Sequence, residues 1–441
     1  MTTGLARSAL RGHRPAFVGT AVAALFAATV VSAATTMLSV TAAPGVLAEV
    51  GDMAVVLLIG SIYMSIFVVA STMGTAVAQQ HKELALVRTV GARPRQVRRA
   101  VVVQAVAAAA PAALVGCALG ALLARPWFAG MQACGMIPAG TVLRFSWVTL
   151  PVCLGVAVVT SPLAALLSSV RFSLLRPARA LDEAAAERTG LGWLRAALGV
   201  LAVAGGVLLS VLLTKTQSDK AGQASFLVLL LFCAGVGLLG PRIVGPAAWL
   251  VSAPVRKFGG SARLAMLNVR AQPRRFAAAM VPLVLVTGFG LTKIGMRTTA
   301  AHHSGSAGAP GEVWLDYVGT GLYAGFAAIA AANTLAMISF ERRREIALLR
   351  VVGTLPRQVR AMACWEAATV AVTALVLGGL ISLATMAPML VQAFGSPLPY
   401  LPWQVVACVG GGVLLLTVLA TAVPVGAALR RRAITVVGAT A

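Results

Sequence analysis

Chemical machinery of the familiar kinds does not stand out in this sequence. No Ser/His/Asp set, His-Glu-x-x-His segment or pair of carboxylates suggests an active site, and there is no Cys-x-x-Cys. The glycine-rich phosphate-binding loop Gly-x-x-x-x-Gly-Lys-Ser/Thr is also missing, since the chain contains no Gly-Lys dipeptide. We therefore predict no catalytic residue, no metal ligand and no cofactor in this chain.

Patterned polar residues lie instead in a segment that occurs twice. Residues 83–98 and 345–360, offset by 262, are identical except at positions 84, 87, 89, 92 and 93. Glu, Arg, Pro and Gln coincide, so a composition rich in Ala, Val and Leu does not account for the match. A weaker echo pairs Leu5, Ala6, Arg11 and Phe17 with Leu264, Ala265, Arg270 and Phe276. The pattern indicates an internal duplication.

Four other polar residues interrupt apolar runs. Gln104 and Glu366 are equivalent under the offset of 262, whereas Lys293 and Asn333 lie in two other runs between them. A carboxylate at membrane depth is costly unless it is paired or hydrated, so these residues are candidates for function. The alternatives are that Glu366 lies shallow enough to meet water or the nearby arginines, and that the Lys293 amine reaches the outer surface.

Membrane-spanning helices must position these residues. The 441 residues are 59% hydrophobic and 11% charged, with a net charge of +24. Apolar runs of about twenty residues, the length that crosses a bilayer, lie near residues 16–38, 53–78, 100–124, 147–170, 193–213, 225–250, 276–296, 314–340, 363–391 and 403–429. The sequence predicts an all-α integral membrane protein of about ten spans. The basic residues lie between the runs, which argues against nucleic acid as a partner.

The charge distribution predicts the orientation. Placing the N-terminus in the cytoplasm assigns 30 of the 36 Lys and Arg residues to cytoplasmic segments. We expect a multi-pass protein of the bacterial inner membrane with both termini in the cytoplasm. The repeat predicts three parts: a four-span module over residues 1–181, a spacer pair of spans over 182–255, and a second four-span module over 256–441. An even number of spacer spans makes the two modules parallel.

The repeated segment has a recognisable local pattern. Glu83 suits the first turn of a short helix, because its charge complements the helix dipole. Gly91 and Gly353 stand where a left-handed C-cap is wanted, and Pro94 and Pro356 where the next helix can begin. The pattern predicts a short cytoplasmic helix, a tight turn and a return into the bilayer.

This loop has two interpretations: a basic turn that rests on lipid headgroups, or a docking surface for a cytoplasmic partner. We favour docking, because lipid contact explains the arginines but not the repeated Glu, Gly and Gln. The candidate docking residues are Glu83, Leu86, Arg88, Gly91, Pro94, Gln96, Glu345, Leu348, Arg350, Gly353, Pro356 and Gln358.

Glu-x-Ala-Leu-x-Arg-x-x-Gly at 83–91 and 345–353 resembles the loop of the FtsX-like permease family, the MacB/LolC type of ABC transporter membrane subunit. Residues 176–181 and 267–275 resemble the family's usual exit from the fourth span and lead-in to the first. The resemblance implies that each loop is a coupling helix for a separate cytoplasmic ABC ATPase, in two copies, which binds the ATP and Mg²⁺. Many members carry a large extracytoplasmic domain; here the corresponding connections, near 39–52 and 297–313, are only loop-sized.

We weigh three functions, of which the first two follow from the resemblance and the third ranks last because the sequence shows neither of the features that it needs. The first is a permease that exports a hydrophobic or amphipathic compound such as an antibiotic, peptide or lipid. The second is a regulator that transports nothing and relays ATPase movement to a cell-envelope partner. The third, an ion-driven transporter, would want inverted repeats and charges along a central path. We expect the first.

Overall fold

The computed structural model describes residues 14–47, 50–51, 53–55, 57–62, 65–66, 68–69, 91–143, 146–174, 193–213, 221–252, 259–305 and 309–430. Regular structure in these residues is entirely α-helical, which confirms the predicted fold class. The helices are α1 Arg14–Val40, α2 Met53–Ile62, α3 Pro94–Ala133, α4 Thr149–Leu174, α5 Trp193–Leu213, α6 Ala221–Ser252, α7 Gly260–Ala271, α8 Pro273–Ser304, α9 Pro310–Glu341, α10 Arg343–Val351, α11 Pro356–Phe394 and α12 Trp403–Leu429.

Seven described helices are long and apolar enough to cross a membrane: α1, α3, α4, α8, α9, α11 and α12. Shorter apolar helices, Met53–Ile62, Ala196–Leu212 and Leu227–Gly240, occupy the remaining predicted runs. The chain is therefore a multi-pass membrane protein. At most twelve residues, within 41–52, join α1 to α2, and residues 305–309 join α8 to α9. Neither connection is long enough to hold a folded domain. The side of the membrane that they face stays a prediction.

The chain packs as two compact units. The first contains Met1–Thr189 and Gly308–Ala330, and the second contains Gly190–Ala307 and Ala331–Ala441. This division follows packing, whereas the predicted modules 1–181, 182–255 and 256–441 follow the sequence repeat. The bounds of the modules stay a prediction.

In the first unit, α1 and α3 approach each other closely along two glycines. A Cβ at Gly116 would overlap the carbonyl of Leu25, and one at Gly120 would overlap the carbonyl of Thr29. Small residues four apart let two membrane helices bring their backbones together. Ser32 then donates a hydrogen bond across the contact to the carbonyl of Cys117, at 2.9 Å.

The second unit contains the equivalent contact between α8 and α11. A Cβ at Gly378 would overlap the side chain of Thr287. Gly378 is equivalent to Gly116 under the offset of 262, and Thr287 is equivalent to Ala28, which also lies against Gly116, under the offset of 259 that aligns the lead-in segments. The duplication seen in the loops therefore extends to the way the helices cross.

The helix α5, which precedes the second four-span repeat, is bonded to α11 of the second unit. Pro388 has no backbone N–H, which leaves the carbonyl of Ala384 without its usual donor within the helix. The Ser210 hydroxyl donates to that carbonyl at 3.2 Å. Inside a bilayer such a replacement matters, because no water is present to satisfy the carbonyl.

Replacing Gly378 by leucine should lower the stability of the second unit, because the new side chain meets Thr287 at a helix crossing. Overpacking of this kind costs about 1–3 kcal/mol. The thermal unfolding midpoint in detergent measures the effect. Gly379→Leu is the matched control, since no described atom lies within 4 Å of a Cβ at Gly379. Equal midpoints for the two variants would contradict the close crossing.

Candidate docking site

The second copy of the repeated loop forms a short helix and a tight turn. The helix α10 has Glu345 in its first turn and Arg350 in its last, the signs that its dipole favours. After it, Gly353 donates to the carbonyl of Arg350 at 3.1 Å, and Thr354 to that of Leu349 at 3.1 Å. These two bonds make a Schellman motif, which needs a left-handed residue after the helix. Gly353 provides it with a φ of +100°.

The turn leads directly into a long helix in both repeats. Pro356 begins α11, and the Gln358 side chain accepts a hydrogen bond from the Leu355 N–H at 3.0 Å. In the first repeat Pro94 begins α3, and Gln96 accepts from the Arg93 N–H at 2.8 Å. A glutamine at the third helical position that reaches back in this way caps the helix. The repeated glutamines are thus explained by local folding.

One face of α10 is held against the second unit. Ile346 is buried in a cluster with Val359, Ala363 and Val425. On the same helix, the Arg350 guanidinium donates at 3.2 Å to the carbonyl of Leu429, the last residue of α12. A basic side chain at that position satisfies a carbonyl that has no partner within its own helix. Arg350 therefore fastens α10 to the end of the final span.

A buried ion pair fixes the start of α10. Arg342 directly precedes the helix and donates to both carboxylate oxygens of Glu366, through Nη1 to Oε2 and through Nη2 to Oε1 at 3.1 Å. The two residues are 7% and 2% exposed. Arg342 also donates through Nε to Glu345 at 3.2 Å, and Asn268 donates to Glu366 Oε1 at 2.7 Å.

The charge state of this arginine is secure. Burial alone would lower the pKa of Arg342, but the carboxylates of Glu366 and Glu345 outweigh burial and raise that pKa above its ordinary value. Arg342 therefore stays protonated. Glu366 thus contacts one of the nearby arginines, which was one of the alternatives for this residue in the sequence analysis, and it is buried from solvent.

The opposite face of this segment is apolar and exposed. Leu348 is 45% exposed, Val351 60%, Val352 84% and Leu355 59%. These four side chains, which we call the apolar docking face, follow the apolar stretch of α9 that ends at Phe340. Exposed arginines, Arg357 among them, come next in the chain. Several exposed apolar side chains beside charged ones favour a surface that binds another protein.

The docking role of the predicted residues stays a prediction, and the structure shows which of them are engaged within the chain. In the second copy, Glu345, Arg350, Gly353 and Gln358 all make contacts within the chain. Of the apolar docking face, the sequence prediction contained only Leu348. It omitted Val351, Val352 and Leu355, and it also missed Arg342 and Asn268 as partners of Glu366. Glu83, Leu86 and Arg88 of the first copy lie outside the described residues.

The other polar candidates occupy separate places. Gln104 is buried in α3 at 2% exposure, and Lys293 is exposed on α8. Asn333 is half-buried in α9, and its Nδ2 has no hydrogen-bond partner among the described residues. In that part of the chain no group of three His, Cys, Asp or Glu residues could hold a metal ion.

Comparison with known families identifies both repeats. A family profile described as FtsX-like permease C-terminal matches residues 55–176 and 318–433, which together make up more than half of the chain. Each matched segment contains one copy of the repeated loop. A comparison with curated proteins gives no match.

Replacing Glu366 by glutamine should destabilise the protein strongly, because it removes the buried carboxylate that accepts two hydrogen bonds from Arg342 and leaves Glu345 as the remaining counter-charge. Breaking a buried pair from one side costs about 3–5 kcal/mol. The free energy of unfolding in mixed micelles measures the loss. Glu345→Gln is the control, since it removes a carboxylate whose side chain is 43% exposed and leaves the buried pair of Arg342 with Glu366 intact. A Glu366→Gln protein as stable as the Glu345→Gln protein would contradict the role of the pair.

Proposed function

Because the chain belongs to the FtsX-like permease family, whose members are membrane subunits of ABC transporters, we propose that it is the permease of an exporter driven by separate cytoplasmic ATPase subunits. The cargo is a hydrophobic or amphipathic compound, such as an antibiotic, a peptide or a lipid. The basic loops face the cytoplasm, and the membrane is the inner membrane of a bacterium. ATP and Mg²⁺ are bound by the ATPase.

The apolar docking face carries this proposal. Leaving Leu348, Val351, Val352 and Leu355 exposed to water is unfavourable by about 25 cal/mol for each Å² of apolar surface. A partner that covers the face recovers this free energy. The inner face of α10 is fixed by Ile346 and by the bond from Arg350 to Leu429. The helix α10 is thus held in one position with its apolar side exposed, and a helix of this kind can bind in a groove of a partner.

Two copies of the loop support two ATPase subunits for each permease. The first copy repeats the turn geometry of the second, with Gly91 at a φ of +105° and the capped start of α3 at Pro94. Like the second, it enters a helix of about forty residues. Each repeat therefore offers one docking segment.

The short outer connections favour export over the regulatory alternative. A regulator of a cell-envelope partner needs extracytoplasmic surface to grip that partner. The connections between α1 and α2 and between α8 and α9 are at most twelve and five residues long, which leaves little such surface at these two positions. A stable complex with a cell-wall hydrolase would favour the regulator instead.

The double variant Leu348→Gln/Val352→Gln should weaken ATPase binding, because it removes two apolar contacts. Burying one such side chain is worth about 1.5–3 kcal/mol, so we expect at least a tenfold loss of affinity. The affinity of the purified permease in nanodiscs for each ABC ATPase of the source organism is the measurement. Leu398→Gln is the control, as Leu398 is 74% exposed in the loop before α12, on the predicted outer side. Equal affinity in all three proteins would refute docking through this face.

Transport distinguishes the exporter from the regulator. In inside-out vesicles that contain the permease and its ATPase, ATP should drive the accumulation of a fluorescent amphiphile. The Leu348→Gln/Val352→Gln variant should abolish that accumulation, and Leu398→Gln should preserve it. An ATPase that binds and is stimulated while no tested amphiphile, lipid or peptide moves would favour the regulator.

A further inference from the structure

One carboxylate in the second unit joins three segments of the chain. Glu366 lies in α11, ten residues after that helix begins at Pro356. It accepts hydrogen bonds from Arg342, at the start of α10, and from Asn268, on α7. We call Arg342, Glu366 and Asn268 the charged joint.

The charged joint links α10, the helix that carries part of the apolar docking face, to the membrane-spanning helices α8 and α11. Arg342 is the residue immediately before α10, so any displacement of the helix acts on it directly. Only Gln272 separates α7 from the span α8. A bidentate bond between a guanidinium and a carboxylate fixes orientation as well as distance, and this one is shielded from water. A displacement of α10 therefore displaces α8 and α11 as well, because the contact between them is rigid.

The first repeat has no charge at the equivalent positions. The offset of 262 pairs Arg342 with Gln80 and Glu366 with Gln104, and the offset of 259 pairs Asn268 with Ala9. Both members of the ion pair are thus replaced together by glutamine. Gln104 is as buried as Glu366, each being 2% exposed. Gln80 and Ala9 lie outside the described residues, so their equivalence rests on the sequence register.

The docking faces of the two repeats differ as well. Val351 and Leu355 of the second copy are equivalent to Thr89 and Arg93 of the first. The second copy is therefore more apolar on the side that is exposed, and it alone has an ionic joint behind that side. The ion pair and the more apolar exposed side are two independent differences in sequence, and both favour the second repeat as the more strongly coupled one.

We propose that the two docking sites are mechanically unequal: the charged joint couples the second site rigidly to the membrane spans, and the neutral first site is coupled loosely. The proposal rests on the docking of ATPase subunits proposed above. Most of the force from ATP binding then enters through the second unit. A pair of neutral amides can exchange hydrogen-bond partners as the helix moves, whereas the ion pair cannot do so without exposing a buried charge.

The test gives the second repeat the residues of the first at the ion pair. The double variant Arg342→Gln/Glu366→Gln leaves no buried charge unpaired, so it avoids the defect of either single change. Glu345 also loses its bond from Arg342, but its side chain is 43% exposed. Arg263→Gln, on the exposed side of α7, is the control for loss of one cation. The reciprocal variant Gln80→Arg/Gln104→Glu places an ion pair in the first repeat.

The first measurement needs no ATPase. Hydrogen exchange of the backbone amides of α10, in the full chain in nanodiscs, should be about tenfold faster or more in Arg342→Gln/Glu366→Gln than in the wild type or Arg263→Gln, since a charge-assisted contact that holds the helix is gone. Unchanged exchange of α10 in the double variant would overturn the charged joint.

The second measurement uses the complete complex. In Arg342→Gln/Glu366→Gln the affinity for the ATPase and its KM for ATP should stay as in the wild type, while the permease-stimulated kcat falls about fivefold or more. Gln80→Arg/Gln104→Glu should raise it or leave it unchanged. An undiminished kcat in the first variant would overturn unequal coupling. If the wild-type chain binds no ATPase, the proposed function fails, and the exchange experiment still decides whether the joint holds α10.

Discussion

The ion pair between Arg342 and Glu366 determines how the second unit can present a helix to a partner. A buried carboxylate is costly unless it is paired, and the arginine that pairs with Glu366 is the residue before α10. The start of the helix is thereby fixed to α11, and its end is fixed to α12 by Arg350. With both ends fastened and Ile346 buried, the exposed side of the helix has one orientation.

Much of the loop could be predicted from sequence because local rules govern it. A glycine after a helix, a proline at the start of the next and a glutamine at the third position satisfy backbone groups within a few residues, and Gly353, Pro356 and Gln358 do so. The partners of Glu366 could not be predicted this way. Asn268 is 98 residues away in sequence, and only the packing of α7 against α11 brings the two together.

The sequence duplication suggested that the residues shared by both copies form the docking surface, but the structure shows that many of them stabilise the loop itself. The glycine, proline and glutamine that both copies share build the turn, since each copy must fold in the same manner. Some residues of the exposed face are shared as well, such as Leu348 and Val352, whereas Val351 and Glu366 differ from their equivalents Thr89 and Gln104. Identity between the copies therefore did not distinguish folding residues from exposed ones, and the apolar docking face was recognised only when exposure was known.

The helix α11, which follows α10 in the chain, is unusually long. Its 39 residues extend about 58 Å at 1.5 Å per residue, nearly twice the hydrocarbon thickness of about 30 Å. The crossing with α8 at Gly378 divides the helix, about 33 Å from its start at Pro356 and about 24 Å from its end at Phe394. A tilt about this crossing moves the two ends in opposite directions. In the orientation that we propose, a displacement of α10 would therefore reach the outer side of the membrane as a movement in the opposite sense.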